Sequence, residues 1–141
     1  MPFPNNFVRR GKYNAHKVER HGIKFDSERE ADRWDFLTDC QRRGLISELR
    51  RQVEFILLPD EYTEETVQLK TKTKKVRRRS FIGVRYKADF VYYHTASGRH
   101  VVEDVKASPK MIPKDFQLRE KMMHSLLHID IRRVYKPKEP I

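Results

Sequence analysis

Two carboxylates and an ammonium stand out in the second half of the chain. Asp89 lies in Tyr86-Lys87-Ala88-Asp89-Phe90, and Asp104 and Lys106 lie in Val101-Val102-Glu103-Asp104-Val105-Lys106. Strand side chains alternate between faces, so Val102, Asp104 and Lys106 point one way and Val101, Glu103 and Val105 the other. Asp104 and Lys106 are then roughly 7 Å apart along the strand. Asp89 shares its face with Lys87 and Val91 by the same rule. If the two stretches pair through the turn Thr95-Ala96-Ser97-Gly98, Asp89 comes up beside Asp104. Two converging carboxylates make a hard-oxygen site of the kind Mg²⁺ takes, with water and a phosphate oxygen filling the other positions. Such a cation polarises a phosphodiester and lowers the pKa of a bound water. A neighbouring ammonium can orient that water or neutralise charge that builds up on the phosphate.

A third carboxylate, Glu30, sits upstream on a helix. Asp26 or Ser27 can cap it, and the helix is expected from about Glu28 to Arg43, ending at Gly44. Ala31, Trp34, Leu37 and Cys40 form its apolar face. Glu30 falls on or near that face, where a carboxylate is costly unless a charge or hydrogen bond meets it. A plainer role for Glu30 is a capping-box bond back to Ser27, and for Asp104 and Lys106 a structural salt bridge. Glu28, Asp32 and Asp35, interleaved with Arg29 and Arg33, read as a solvated ion-pair face.

The elements that must position these groups follow from periodicity and punctuation. Leu49–Leu58 reads as a strand stopped by Pro59-Asp60, Val84–Tyr93 as a second and His100–Ala107 as a third. A helix over Lys114–Leu127 places Phe116, Leu118, Met122, Ser125 and Leu126 near one side, and His128–Tyr135 forms the last strand. The expected fold is α/β: the order α-β-β-β-α-β, a mixed sheet flanked by helices, with a basic hairpin insertion. Residues 1–24 read as a basic arm, 25–136 as the folded domain with the insertion at about 61–80, and 137–141 as a tail. The ends of the insertion are expected to extend the flanking strands, its middle to be mobile.

Lys and Arg outnumber Asp and Glu by 31 to 20, a net charge of +11 on 141 residues. That surplus points to a polyanion, nucleic acid before a membrane surface, since no long amphipathic basic helix is present. No acidic residue lies between Thr66 and Ala88, where Lys70, Lys72, Lys74, Lys75, Arg77, Arg78 and Arg79 cluster as a candidate DNA contact. Arg9, Arg10 and Lys12 offer a second contact, and Lys110 and Lys114 a third near the second helix. The single cysteine, Cys40, rules out an internal disulfide or a cysteine-based zinc cluster and suits a reducing cytoplasm. The first residues lack the apolar run of a signal peptide, and the longest apolar stretch, Phe55–Leu58, is too short to span a bilayer. His124 and His128 have a zinc-chelating spacing but no evident third ligand.

The segments Phe25–Ala31, Tyr86–Phe90 and Val101–Lys106 together resemble the restriction-endonuclease-like, or PD-(D/E)xK, superfamily. They look most like small phage and prophage nucleases of the Holliday-junction-resolvase kind. Lys12-Tyr13-Asn14-Ala15 and Gly22-Ile23-Lys24-Phe25-Asp26-Ser27 are similar to the same group, and the likeness covers roughly Lys12 to Val134. The resemblance implies an αβββαβ core, Mg²⁺ or Mn²⁺ dependence, and endonucleolytic hydrolysis of DNA in the bacterial host cytoplasm. It makes Asp89 the metal-binding aspartate, Asp104 and Lys106 the (D/E)xK pair, and Glu30 the helix carboxylate. Val105 joins them at the metal and Gln52 is a polar neighbour. Glu103 also precedes Lys106, but one residue too far and on the other face. Branched DNA as substrate and a homodimer that coordinates two cuts are further implications. The competing expectation is a non-catalytic nucleic-acid-binding protein with a nuclease-like fold, and a third is a factor whose cutting serves a larger phage machine.

Overall fold

A computed structural model describes residues 16–141. Its first element is a small hairpin, β1 (Val18–Arg20) and β2 (Ile23–Phe25), turned at His21 and Gly22, whose φ values are 54° and 75°. All of this hairpin but Phe25 lies inside the segment expected to be an arm. It is fastened to the first helix, because Arg20 Nη1 donates to both Asp32 and Asp35 at 2.7 Å.

Helix α1 (Glu28–Arg42) starts where the Ser27 hydroxyl accepts the Glu30 N–H at 3.2 Å. It ends at Arg43, ahead of Gly44 at φ 77°. Next come β3 (Ile46–Leu58), β4 (Glu61–Gln68), β5 (Thr73–Phe81), β6 (Val84–His94), β7 (Arg99–Val105), α2 (Lys114–Leu127) and β8 (Ile131–Val134). A mixed four-stranded sheet has the order β3-β6-β7-β8, antiparallel except for the β7–β8 edge. Each face carries its own core. Leu37 and Cys40 of α1 pack with Phe90, Tyr92, Val101 and Val105, while Phe116 and Met123 of α2 pack with Tyr86, Ala88, Val91 and Val102.

Three local expectations need correction. The middle of 61–80 is a regular two-stranded hairpin, with β4 paired to β5 from Glu61↔Phe81 to Gln68↔Thr73. Thr73, Val76 and the long straight Lys and Arg side chains of β5 tolerate an extended chain, and its register with β4 runs unbroken from Tyr62↔Arg79 to Gln68↔Thr73. The final strand begins at Ile131 because His128, at φ 56°, is the left-handed C-cap of α2. On α2 the buried stripe is Phe116 and Met123, seven residues apart, while Leu118 and Leu126 are exposed.

The largest departure is Arg33. It was expected on a solvated face, yet its side chain is fully buried against Glu103, which is equally buried. Nε donates to Glu103 Oε2 at 2.9 Å and Nη2 to Oε1 at 2.6 Å, and the Tyr92 hydroxyl donates to Oε1 at 2.6 Å. The remaining Arg33 nitrogen, Nη1, donates to the carbonyls of Pro137 and Glu139. The tail 137–141 is therefore held against the domain, with Ile141 in the α1-side core. Glu103→Ala strands a buried guanidinium and is expected to destabilise the fold by about 3–5 kcal/mol, read from the urea midpoint. Replacing both partners, Arg33→Met with Glu103→Leu, should recover most of that loss. A double variant no more stable than Glu103→Ala would show that the unpaired charge is not the cause.

Candidate functional site

Strands β6 and β7 pair from His94↔Arg99 to Phe90↔Glu103 and then part company. Strand β6 continues along β3, while Asp104 and Val105 pair with Arg133 and Val134 of β8. In the opening, the Asp89 carboxylate takes the place of a ladder bond: Val105 N–H donates to Asp89 Oδ2 at 2.8 Å. The alternation of β6 slips at this point. Tyr86, Ala88 and Val91 belong to the α2-side core, whereas Phe90 and Tyr92 belong to the α1-side core. Gln52, between Arg51↔Phe90 and Val53↔Ala88, falls opposite Asp89 and has φ 54°. A non-glycine residue held in that region costs about 1–3 kcal/mol.

Asp104 is almost fully enclosed. Its Oδ2 accepts the Tyr86 hydroxyl at 2.8 Å. Its Oδ1 is buried against the Lys106 ammonium as an ion pair but lacks a properly directed hydrogen bond. The same ammonium sits 3.9 Å from the centroid of the Phe116 ring, and Lys106 N–H donates to Val134 O at 2.8 Å. Asp104 and Lys106 therefore share one face of β7, and α2 supplies the aromatic wall beside them. Burial and the Asp104 charge push the Tyr86 phenol far above its ordinary value, so it stays a donor.

Glu30 approaches from the start of α1. It is buried, and the Ser27 hydroxyl, which caps the Glu30 N–H, also lies 3.5 Å from its Oε1 as donor, in place of the main-chain bond of a capping box. Burial and the charge of Asp26 raise its pKa, with a further rise from Asp104; the Asp26 main chain and the Ser27 hydroxyl pull the other way. Burial pushes the Asp89 carboxyl well above the usual carboxylate range, and the charges of Asp104 and Glu30 push it further against the Val105 N–H and Lys106. The three carboxylates are thus electrostatic neighbours around one opening in the sheet. Their donor chemistry fits a hard divalent cation, which would compete with the Lys106 ammonium for Asp104 Oδ1. Among the described residues, no three His, Cys, Asp or Glu side chains form a ready-assembled metal-binding group. Lys106 stands there as the internal counter-charge.

Glu103 faces away from the site and is consumed by Arg33, as strand alternation requires. Tyr86 and Phe116, which brace Asp104 and Lys106, were not picked out from sequence. Tyr86 lies within the segment that carries Asp89, but nothing in spacing links it to Asp104, 18 residues away. Of the residues expected to contact DNA, Arg78 pairs with Glu65 at 3.4 Å, Arg79 with Asp60 at 3.7 Å, and Arg77 lies over the Tyr62 ring. Lys70, Lys72, Lys74 and Lys75, with Lys110 and Lys114, are exposed. Arg9, Arg10 and Lys12 lie outside the described residues. His124 pairs with Asp130 at 2.6 Å.

The family described as a protein of unknown function, DUF1064, matches residues 10–138. The chain belongs to the DUF1064 family. The match spans all ten elements, so in this DUF1064 chain the site and both hairpins fall within the family's extent. Neither a curated protein nor a solved structure matches. No helix among the described residues is long and apolar enough to cross a membrane.

The strained Asp89 carboxyl couples the stability of the fold to pH. A carboxyl whose folded-state pKa is raised contributes stability that is complete below its ordinary value of about 3.9 and is lost as pH climbs through the raised value. Without divalent cations, the melting temperature is therefore expected to fall as pH rises through and above the ordinary carboxylate range. Asp89→Asn keeps the acceptor for Val105 N–H while removing the charge, and should flatten this fall and raise the melting temperature at pH 7.5. An unchanged slope with no gain at pH 7.5 would mean that the three carboxylates do not strain one another.

Proposed function

We propose that the chain is a divalent-metal-dependent endonuclease that hydrolyses DNA phosphodiesters, built on a restriction-endonuclease-like αβββαβ core. The observation that carries this reading is the parting of β6 and β7, which gathers Asp89, Asp104 and Lys106 at one opening with Glu30 of α1 over it. The order α1, β3, β6, β7, α2, β8 supports the core assignment, with β1–β2 and β4–β5 as additions.

In this reading Asp89, Asp104, Glu30 and the main chain of Val105 would hold Mg²⁺ or Mn²⁺, which supplies a Lewis acid and a water of lowered pKa. Tyr86 fixes the Asp104 carboxylate through Oδ2, and a cation would take Oδ1 by displacing the Lys106 ammonium that now pairs with it. Val134 holds the Lys106 main chain and Phe116 walls its side chain, whose ammonium would meet a non-bridging phosphate oxygen and neutralise charge as a water oxygen bonds phosphorus, one P–O ester bond breaks, the water gives up a proton to solvent and the departing oxygen takes one up. The surplus of positive charge gathers the polyanionic substrate. Branched DNA, Holliday junctions included, as the preferred substrate, a homodimer as the active form and a phage or prophage setting rest on the family resemblance.

A second reading is favoured by one observation. With Lys106 already paired to Asp104, and no ligand cluster preassembled among the described residues, the same fold would bind nucleic acid without cutting it. One experiment separates the two. Cleavage of a four-way junction and a matched duplex is measured in Mg²⁺, Mn²⁺ or EDTA for wild type, Asp104→Asn and Lys106→Met. Metal-dependent cutting is expected, with Asp104→Asn inactive and Lys106→Met slowed by about 10²–10⁴-fold. DNA binding without cleavage in either metal would put the binding protein in place of the enzyme.

A further inference from the structure

The β4–β5 hairpin leaves the sheet after Leu58 and returns at Val84, and its root is locked. Asp60 Oδ1 accepts the Gly83 N–H at 2.7 Å, and Asp60 Oδ2 lies 3.7 Å from Arg79 and 3.6 Å from Arg85. Gly83 is pressed so closely on the chain that a Cβ there would lie 1.9 Å from Leu58 O. Above the root the shaft is self-neutralised, with the acidic residues of β4 facing the arginines of β5. Glu65 pairs with Arg78, Glu64 is opposite Arg77, and the Arg77 guanidinium lies 4.1 Å from the Tyr62 ring centroid.

The tip differs. Its turn closes with Leu69 N–H on Lys72 O at 2.8 Å, and Lys70, Lys72, Lys74 and Lys75 project around it. All four are exposed, and among the described residues none has a carboxylate within ion-pair distance, unlike Arg78 and Arg79 below them. At the usual strand rise, the length of β4 carries this charge roughly 26 Å from the root. That equals about seven or eight steps of a duplex at 3.4 Å each.

We propose that the hairpin is an arm that grips the phosphate backbone of duplex DNA through its tip lysines, away from the Asp89–Asp104 opening, while its arginines serve the shaft. The proposal rests on DNA being the partner. Lysine suits the task, since a point charge on a flexible stem follows a phosphate without reading a base. The glutamates of β4 repel phosphate and confine the contact to the tip.

The test is anisotropy of labelled duplexes of graded length, in EDTA across a salt series, with wild type and the quadruple variant Lys70→Ala, Lys72→Ala, Lys74→Ala, Lys75→Ala. A matched circular-dichroism melt checks that the variant is folded. Wild-type affinity is expected to climb with duplex length until the DNA reaches the tip, and the variant to lose that climb. The slope of log K against log salt should shrink by about 3 to 4, at about 0.9 per phosphate. A folded variant with wild-type slope and length dependence overturns the arm and leaves the nuclease reading standing. Wild type that binds no DNA overturns both. Tighter, tip-dependent binding of duplex RNA overturns the DNA assignment alone.

Discussion

Two opposite charges with no water around them, the Arg33 guanidinium and the Glu103 carboxylate, hold α1 to the sheet. Burying either alone would cost several kcal/mol, so the pair persists only because both forks engage and every remaining site is met. Tyr92 completes the carboxylate and the carbonyls of Pro137 and Glu139 complete the guanidinium. Its position sets more than stability. Glu30 lies about one turn before Arg33, and Asp104 follows Glu103, so the pair that fixes the helix on β7 also brings Glu30 within electrostatic reach of Asp104. The last residues of the chain are held by the same side chain.

The site itself depends on a sheet that does not close. Parting β6 from β7 leaves main-chain groups without ladder partners, and Asp89 answers by accepting the Val105 N–H. One carboxylate thereby has a structural task and, in the proposed enzyme, a chemical one. Its negative charge is kept close to Asp104 and Glu30, a repulsion that Lys106 only partly offsets and that a bound cation would remove. The positive φ of Gln52 opposite Asp89 places backbone strain at the same level of the sheet. Tyr86 and Phe116 then limit where Asp104 and Lys106 can go, so the groups are braced from the α2 side and charged from the α1 side.

The basic surface is organised rather than diffuse. A run of like charge in sequence becomes, after pairing, an acidic strand against a basic one, and the unbalanced charge moves to the turn. The DUF1064 match covers the hairpin as well as the sheet. A locked root and a self-neutral shaft give the turn a defined reach, which a loop of the same composition would lack.

Local patterns were enough to reveal much of this. Ser27 and Gly44 mark the ends of α1, Pro113 just ahead of Lys114 marks the start of α2, and alternation separates Asp104 and Lys106 from Glu103. These are properties of one or two turns of chain, where neighbours in sequence are neighbours in space. Arg33 looked like part of a solvated ion-pair face because its partner is 70 residues away. Phe116 looked like an ordinary core aromatic, and the arginines of β5 looked free because β4 had not yet been placed beside them. The sequence by itself determined the elements and which side chains share a face of each, since those follow from backbone period. Which charges are buried, paired or left bare was decided only by tertiary structure, because desolvation and Coulomb energy depend on distances between segments that local spacing does not encode.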